Sequence, residues 1–216
     1  NVSQVVAINL KSLGEKAGIN DKENKESLQK LTEAMKSGMN AATFQQLEAI
    51  LKDPSKSGID VKAPVYLFSA PSFPYTSVVA KVNNEDDFVK FLEVTEKEGL
   101  SSPITESNGY RFAKVSDQLL CVFNETTLLA INYTRSSQLE AVKESVLQLL
   151  KQTEENSISS NQAFKKMQKH SGDVNMLVAP SSLLGAYANQ LNYGMGKNID
   201  LKDLMILGSL SFDKGK

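Results

Sequence analysis

The chain has 216 residues, 41% of them apolar and 23% charged, with a formal net charge of −1. This is enough apolar material for one large domain or two small ones, and too little positive charge for a dedicated nucleic-acid binder. A single cysteine excludes an internal disulfide and any multi-cysteine metal site, and no window approaches the ~20 consecutive apolar residues of a membrane-spanning helix.

The chain begins at Asn1 without a methionine, so a processed chain is expected, with any export signal already removed. Residues 4–10 form a continuous apolar run that suits a central strand. Ser12 and Glu15 have capping-box spacing, and Gly18 sits where a short helix would stop. After a polar connector, Leu28, Leu31 and Met35 mark one helix face ending at Gly38. Asn40 can cap a second helix with Phe44, Leu47, Ile50 and Leu51 inward, halted by Asp53 and Pro54. The pair reads as a helical hairpin.

From Ala63 the pattern switches to strands, at 65–69 and 77–82, around the stiff segment Pro71, Ser72, Phe73, Pro74, Tyr75. Asn83 or Asn84 then caps a helix whose first turn holds Glu85, Asp86 and Asp87, where the helix dipole favours acids; Gly99 ends it. A short strand at 104–106 is expected next. Residues 109–133 hold three apolar runs separated by the polar breaks Ser116-Asp117 and Asn124-Glu125. Breaks that short predict tight hairpins and a three-stranded antiparallel meander. A helix over 136–152 follows, with Leu139, Val142, Val146 and Leu149 as its buried stripe.

Beyond the polar spacer 153–160, a helix carries Phe164 and Met167 and ends near Gly172. A strand over 174–179, a helix opened by Pro180 and bearing Leu183, Leu184, Tyr187, Ala188 and Leu191, a Gly-rich loop at 192–197 and a strand over 203–212 complete the chain. Residues 213–216 read as a hairpin turn, so the natural chain is expected to continue beyond 216. The segments 5–13 and 175–183 share a strand, cap and helix pattern that suggests two related units. The fold expected is α+β, an antiparallel sheet with helices mainly on one face. It forms either a single domain over 1–216 or two closely packed subdomains at about 1–152 and 153–216.

Residues able to carry chemistry are sparse. His170 is the only histidine and Cys121 the only cysteine, so Ser-His-Asp, Cys-His and familiar zinc sites lack most of their members. His170 reads as a helix-end cation and Cys121, alternating with Leu119 and Phe123, as a core thiol. The run Glu85-Asp86-Asp87 lacks the alternating ligands of a calcium loop and reads as helix capping. Gly194, Gly196 and Lys197 lack P-loop spacing, and Asn124 and Asn132 open the glycosylation patterns Asn-Glu-Thr and Asn-Tyr-Thr. No catalytic residue, metal ligand or cofactor is nominated. The best binding candidates are Phe73 and Tyr75, aromatics on a stiff loop that either meet a ligand or fold back over the sheet edge.

The segments 5–18 (VVAINLKSLGEKAG), 78–92 (VVAKVNNEDDFVKFL) and the meander at 109–133 together resemble a domain-of-unknown-function family of Bacteroides-type cell-envelope lipoproteins. The resemblance spans most of the chain and rests on strand, cap and helix patterns. It implies an exported protein, held at the membrane only through a lipidated cysteine upstream of Asn1, and it carries no catalytic residues. The function expected is therefore a non-enzymatic envelope protein that binds a glycan, peptide or protein partner. The alternatives are a hydrolase using carboxylates from separate segments, or a purely structural lipoprotein.

Overall fold

A computed structural model describes residues 3–18, 21, 24–134, 138–181 and 204–214. The chain opens with strand β1 (Gln4–Ile8) and the short helix α1 (Leu10–Lys16), then the helical hairpin α2 (Lys25–Gly38) and α3 (Ala41–Lys52). The hairpin β2 (Val65–Ala70) and β3 (Phe73–Lys81) leads into helix α4 (Glu85–Lys97). The strands β4 (Thr105–Ser107), β5 (Tyr110–Val115), β6 (Leu119–Phe123) and β7 (Thr127–Asn132) follow. Helix α5 (Leu139–Leu150), helix α6 (Gln162–Met167), strand β8 (Val174–Val178) and strand β9 (Ile206–Leu210) complete the described elements. The expected helix after Pro180 and the loop at 192–197 lie outside the described residues, apart from Pro180 and Ser181.

All nine strands form one antiparallel sheet in the order β4-β5-β6-β7-β3-β2-β1-β8-β9. The expected meander is β5, β6 and β7, with tight turns of three residues, 116–118 and 124–126, where two-residue breaks were expected. Ser116 takes φ 62°, and the Asn124 side chain accepts from the backbone N–H groups of Thr126 and Thr127. The central position expected for the first run also holds, because β1 pairs with β2 on one side and β8 on the other.

Period-two alternation sorts the sheet into two faces. On one face Phe112, Leu120, Val122, Leu129 and Ile131 are buried under Val142 and Val146 of α5, and Val5 and Leu177 under Phe164 and Met167 of α6. On the other, Ala113 and Phe123 are buried under Phe88 and Leu92 of α4, with the Phe88 and Phe123 rings edge-to-face at 4.9 Å. The helices thus divide between faces, α5 and α6 on one and α4 on the other. The α2–α3 hairpin reaches the rest of the fold through Glu98 at the end of α4. That carboxylate accepts from Thr43 Oγ1 at 2.7 Å and from the Asn40 side chain, while Asn40 Oδ1 caps α3 as expected.

The cap of α1 departs from expectation. Asn9, not Ser12, caps the helix by accepting from Ser12 N at 3.1 Å. Ser12 is free to donate its hydroxyl to Asp173 Oδ1 at 2.5 Å. Asp173 also accepts from Lys16 Nζ at 2.7 Å and from the Phe212 backbone N–H at 2.7 Å, tying α1 to the ends of β8 and β9. The Lys16 ammonium, then the Ser12 hydroxyl and the Phe212 N–H hold the Asp173 carboxyl at about 2, below its ordinary 3.8. Because the folded value is depressed, the stabilisation is complete above pH 3.8 and is lost as pH falls towards 2. Asp173→Asn is expected to flatten the fall in thermal midpoint across that window, read from melts at stepped pH.

Tyr133, 1% exposed beneath α5, holds the one buried side-chain polar atom without a hydrogen-bond partner among the described residues. Burial raises its phenol pKa. Tyr133→Phe removes an unsatisfied hydroxyl and keeps the ring, so a gain of about 1 kcal/mol is expected in urea unfolding.

Candidate functional site

The stiff segment that carries Phe73 and Tyr75 is not an open loop. Pro71 and Ser72 alone make the turn, and Ala70 pairs with Phe73 across it. A bulge between Phe68 and Ala70 absorbs Pro74, which cannot donate to a ladder. Phe73 turns into the α5 core at 2% exposure, its ring 6.2 Å from Phe68 and edge-on to Tyr75 at 5.2 Å. Of the two expectations for this segment, ligand contact or folding back over the sheet, Phe73 takes the second. Phe73 is a core residue, and Tyr75 is half-buried against the same cluster.

Cys121 and the acidic run lie where the sequence placed them. Cys121 is buried beside Ala113 and Phe123, and burial pushes its thiol up to about 11. Asn84 caps α4 by accepting from Asp87 N at 3.2 Å, with all three acids in the first turn. Glu85 has a second contact, an ion pair with Arg111 at 3.4 Å.

That ion pair borders an open polar hollow of about 230 Å³ lined by Glu85, Glu106, Gly109, Arg111, Asn124 and Glu125. Carboxylate chemistry needs a general acid kept from water. Glu106 and Glu125 are exposed and Glu85 is ion-paired with Arg111. Among the described residues no three His, Cys, Asp or Glu side chains come close enough together to hold a metal ion. The hollow is a solvated rim.

A second cleft, of about 200 Å³, lies at the end of α6. Its floor is the row Tyr66, Ala7 and Asn175, register partners across β2, β1 and β8, and its walls include Asn9, Pro64, Met167, Gln168 and His170. His170, expected only as a helix-end cation, borders this cleft.

The largest departure from an ordinary soluble surface is at β9. Eight large apolar side chains are exposed among the described residues, and four of them belong to one short segment: Leu204 41%, Ile206 51%, Leu210 50% and Phe212 43%. Ile206 and Leu210 share one face of the strand, opposite the inward Leu207, and Leu204 and Phe212 flank it. Between Ile206 and Leu210, Gly208 leaves room for Met176, whose Cγ lies 3.1 Å from where a Cβ would stand. The result is a continuous apolar strip. Among the described residues β9 pairs only with β8, in unbroken register from Ile206 to Leu210. Its sequence, ILGSL, holds no charge, proline or bulge, the devices that blunt an exposed edge. The opposite edge, β4, is protected by its three-residue length and by Glu106.

A family model described as a domain of unknown function (DUF4836) matches residues 1–216. The chain belongs to the DUF4836 family. No curated protein matches it. Two crystal forms of TP0453 have a similar arrangement, at TM-scores of 0.43 and 0.40 with 9% and 10% identity, each match covering 83% of this chain. The chain spans 61% and 59% of the length of those two neighbours. Among the described residues, no DUF4836 helix in this structure is long and apolar enough to cross a membrane.

Proposed function

We propose that this DUF4836 chain is a non-enzymatic binding module of the cell envelope that captures a polypeptide partner by strand addition at β9. The observation that carries the reading is the apolar edge at Ile206–Leu210, which among the described residues pairs only with β8. An extended segment laid beside β9 gains main-chain hydrogen bonds for affinity, and its alternate side chains meet Ile206 and Leu210 for selectivity. The four exposed side chains offer roughly 300 Å² of apolar surface, a patch of the few-hundred-Å² size that is often functional. The envelope placement, with a lipid anchor upstream of Asn1, rests on the resemblance of the 5–18, 78–92 and 109–133 segments.

The native size of the protein in detergent-solubilised envelopes tests this. Leu210→Lys places an ammonium in the strip at a half-exposed position, so it leaves the thermal midpoint nearly unchanged. It should shift the protein from a larger assembly to its own mass. An assembly of unchanged size in Leu210→Lys, or a wild-type protein already at its own mass, contradicts strand addition at β9. Recovery of the protein in the cytoplasmic fraction contradicts the envelope placement.

A further inference from the structure

We infer that the cleft at the end of α6 is a second site, separate from β9, which binds one ring of a neutral saccharide. The cavity exists because Ala7, a small residue, stands in register between Tyr66 and Asn175 and leaves a hollow over the sheet. Its volume of about 200 Å³ is below the ~300–1,000 Å³ typical of drug-sized ligands, so it admits a single ring.

The walls are set before any ligand arrives. Asn175 donates to the carbonyls of His170 and Gly172 at 3.4 and 3.1 Å and accepts from Ser209 Oγ at 2.7 Å, which spends both amide hydrogens and fixes the turn above the cleft. A Cβ on Gly172 would strike Ser209 Oγ, so that turn passes as close to β9 as only glycine allows. Tyr66 is braced against Phe164 with ring centroids 5.8 Å apart.

The polar capacity left over is what selects the ligand. No Asp, Glu, Lys or Arg lines the cleft, which leaves the His170 imidazole as the one basic side chain facing a ligand. Asn9 spends its Oδ1 on the Ser12 N–H and keeps its amide donors. Gln168 Nε2 reaches Tyr66 Oη only at 3.5 Å, a long contact that a ligand hydroxyl can replace. The Tyr66 O–H donor, the Gln168 Oε1 acceptor and the His170 imidazole remain for a ligand. Tyr66 and Gln168, 3.5 Å apart, set donor beside acceptor, which suits hydroxyls that donate and accept at once. The rings of Tyr66 and Pro64 suit the C–H side of a sugar ring.

Backbone amide NMR of the whole chain tests this, with separate titrations of glucose, N-acetylglucosamine and triglycine into the tens of millimolar. The expected result is that a saccharide moves the amides of Gln168, His170 and Asn175 while those of Ile206 and Leu207 in β9 stay in place. Tyr66→Phe, which keeps the ring packing, and Gln168→Ala should each weaken the titration about tenfold, the loss of one neutral hydrogen bond. Cleft amides that move with triglycine alone overturn the saccharide assignment in favour of an amide ligand. Cleft amides that move with no probe, or variants that bind as the wild type does, overturn the site.

Discussion

Phe73→Ala is expected to cost about 3–4 kcal/mol of folding stability, with no ligand present. The ring is 2% exposed in the α5 cluster, stacked on Phe68 and edge-on to Tyr75, so truncation removes buried apolar area and two aromatic contacts and leaves a cavity. An exposed recognition aromatic at the same position would behave in the opposite way. Its removal would leave stability within about 0.5 kcal/mol and change only binding. Urea unfolding of the purified variant separates the two, and a variant as stable as the wild type would mean that the hairpin presents Phe73 to solvent.

Gly58→Ala is expected to cost about 3 kcal/mol for a different reason. Gly58 ends the 3-10 turn Pro54–Ser57 in the left-handed region at φ 81°, where a side chain costs about 1–2 kcal/mol. It also touches the start of α4. Its carbonyl accepts from Asn83 N and Asn84 N at 2.8 and 3.1 Å, and a Cβ would meet the Asn84 carbonyl and, at 2.5 Å, Phe88 N. Backbone cannot swing aside as a flexible side chain can, so overpacking adds to the strain. Thermal unfolding should show a clear drop in midpoint. A midpoint equal to the wild type would mean that the turn and the α4 cap are not in contact.

What the sequence disclosed was mostly local. The meander was legible because breaks of two or three residues leave neighbouring strands no option but to pair, and Asn40 and Asn84 because a capping side chain acts within its own first turn. The cap of α1 was misplaced for a nonlocal reason. Ser12 has cap chemistry, but its hydroxyl is taken by Asp173, 161 residues away. Phe73 was left open between a ligand contact and a fold-back because prolines on both sides suggest a loop. The bulge beside Ala70, which lets Pro74 sit in a strand and turns Phe73 inward, is invisible in local sequence. The cleft joins residues near 9, 66 and 168–175 and leaves no trace in spacing. β9 was legible as a strand, but edge position belongs to sheet order, which depends on β1 pairing with β8.

The most direct test of strand addition at β9 is site-specific photo-crosslinking in intact envelopes, with the probe at position 210 and, as a control, at position 106 on the opposite edge. Both positions are exposed at a sheet margin, so they differ in the property at issue, an unguarded apolar strip against a short acidic strand. The account predicts a discrete adduct from position 210, with peptide mapping placing the contact in a segment of alternating apolar residues, and none from position 106. Equal labelling from both positions, or an adduct at 210 that contains no polypeptide, would contradict it.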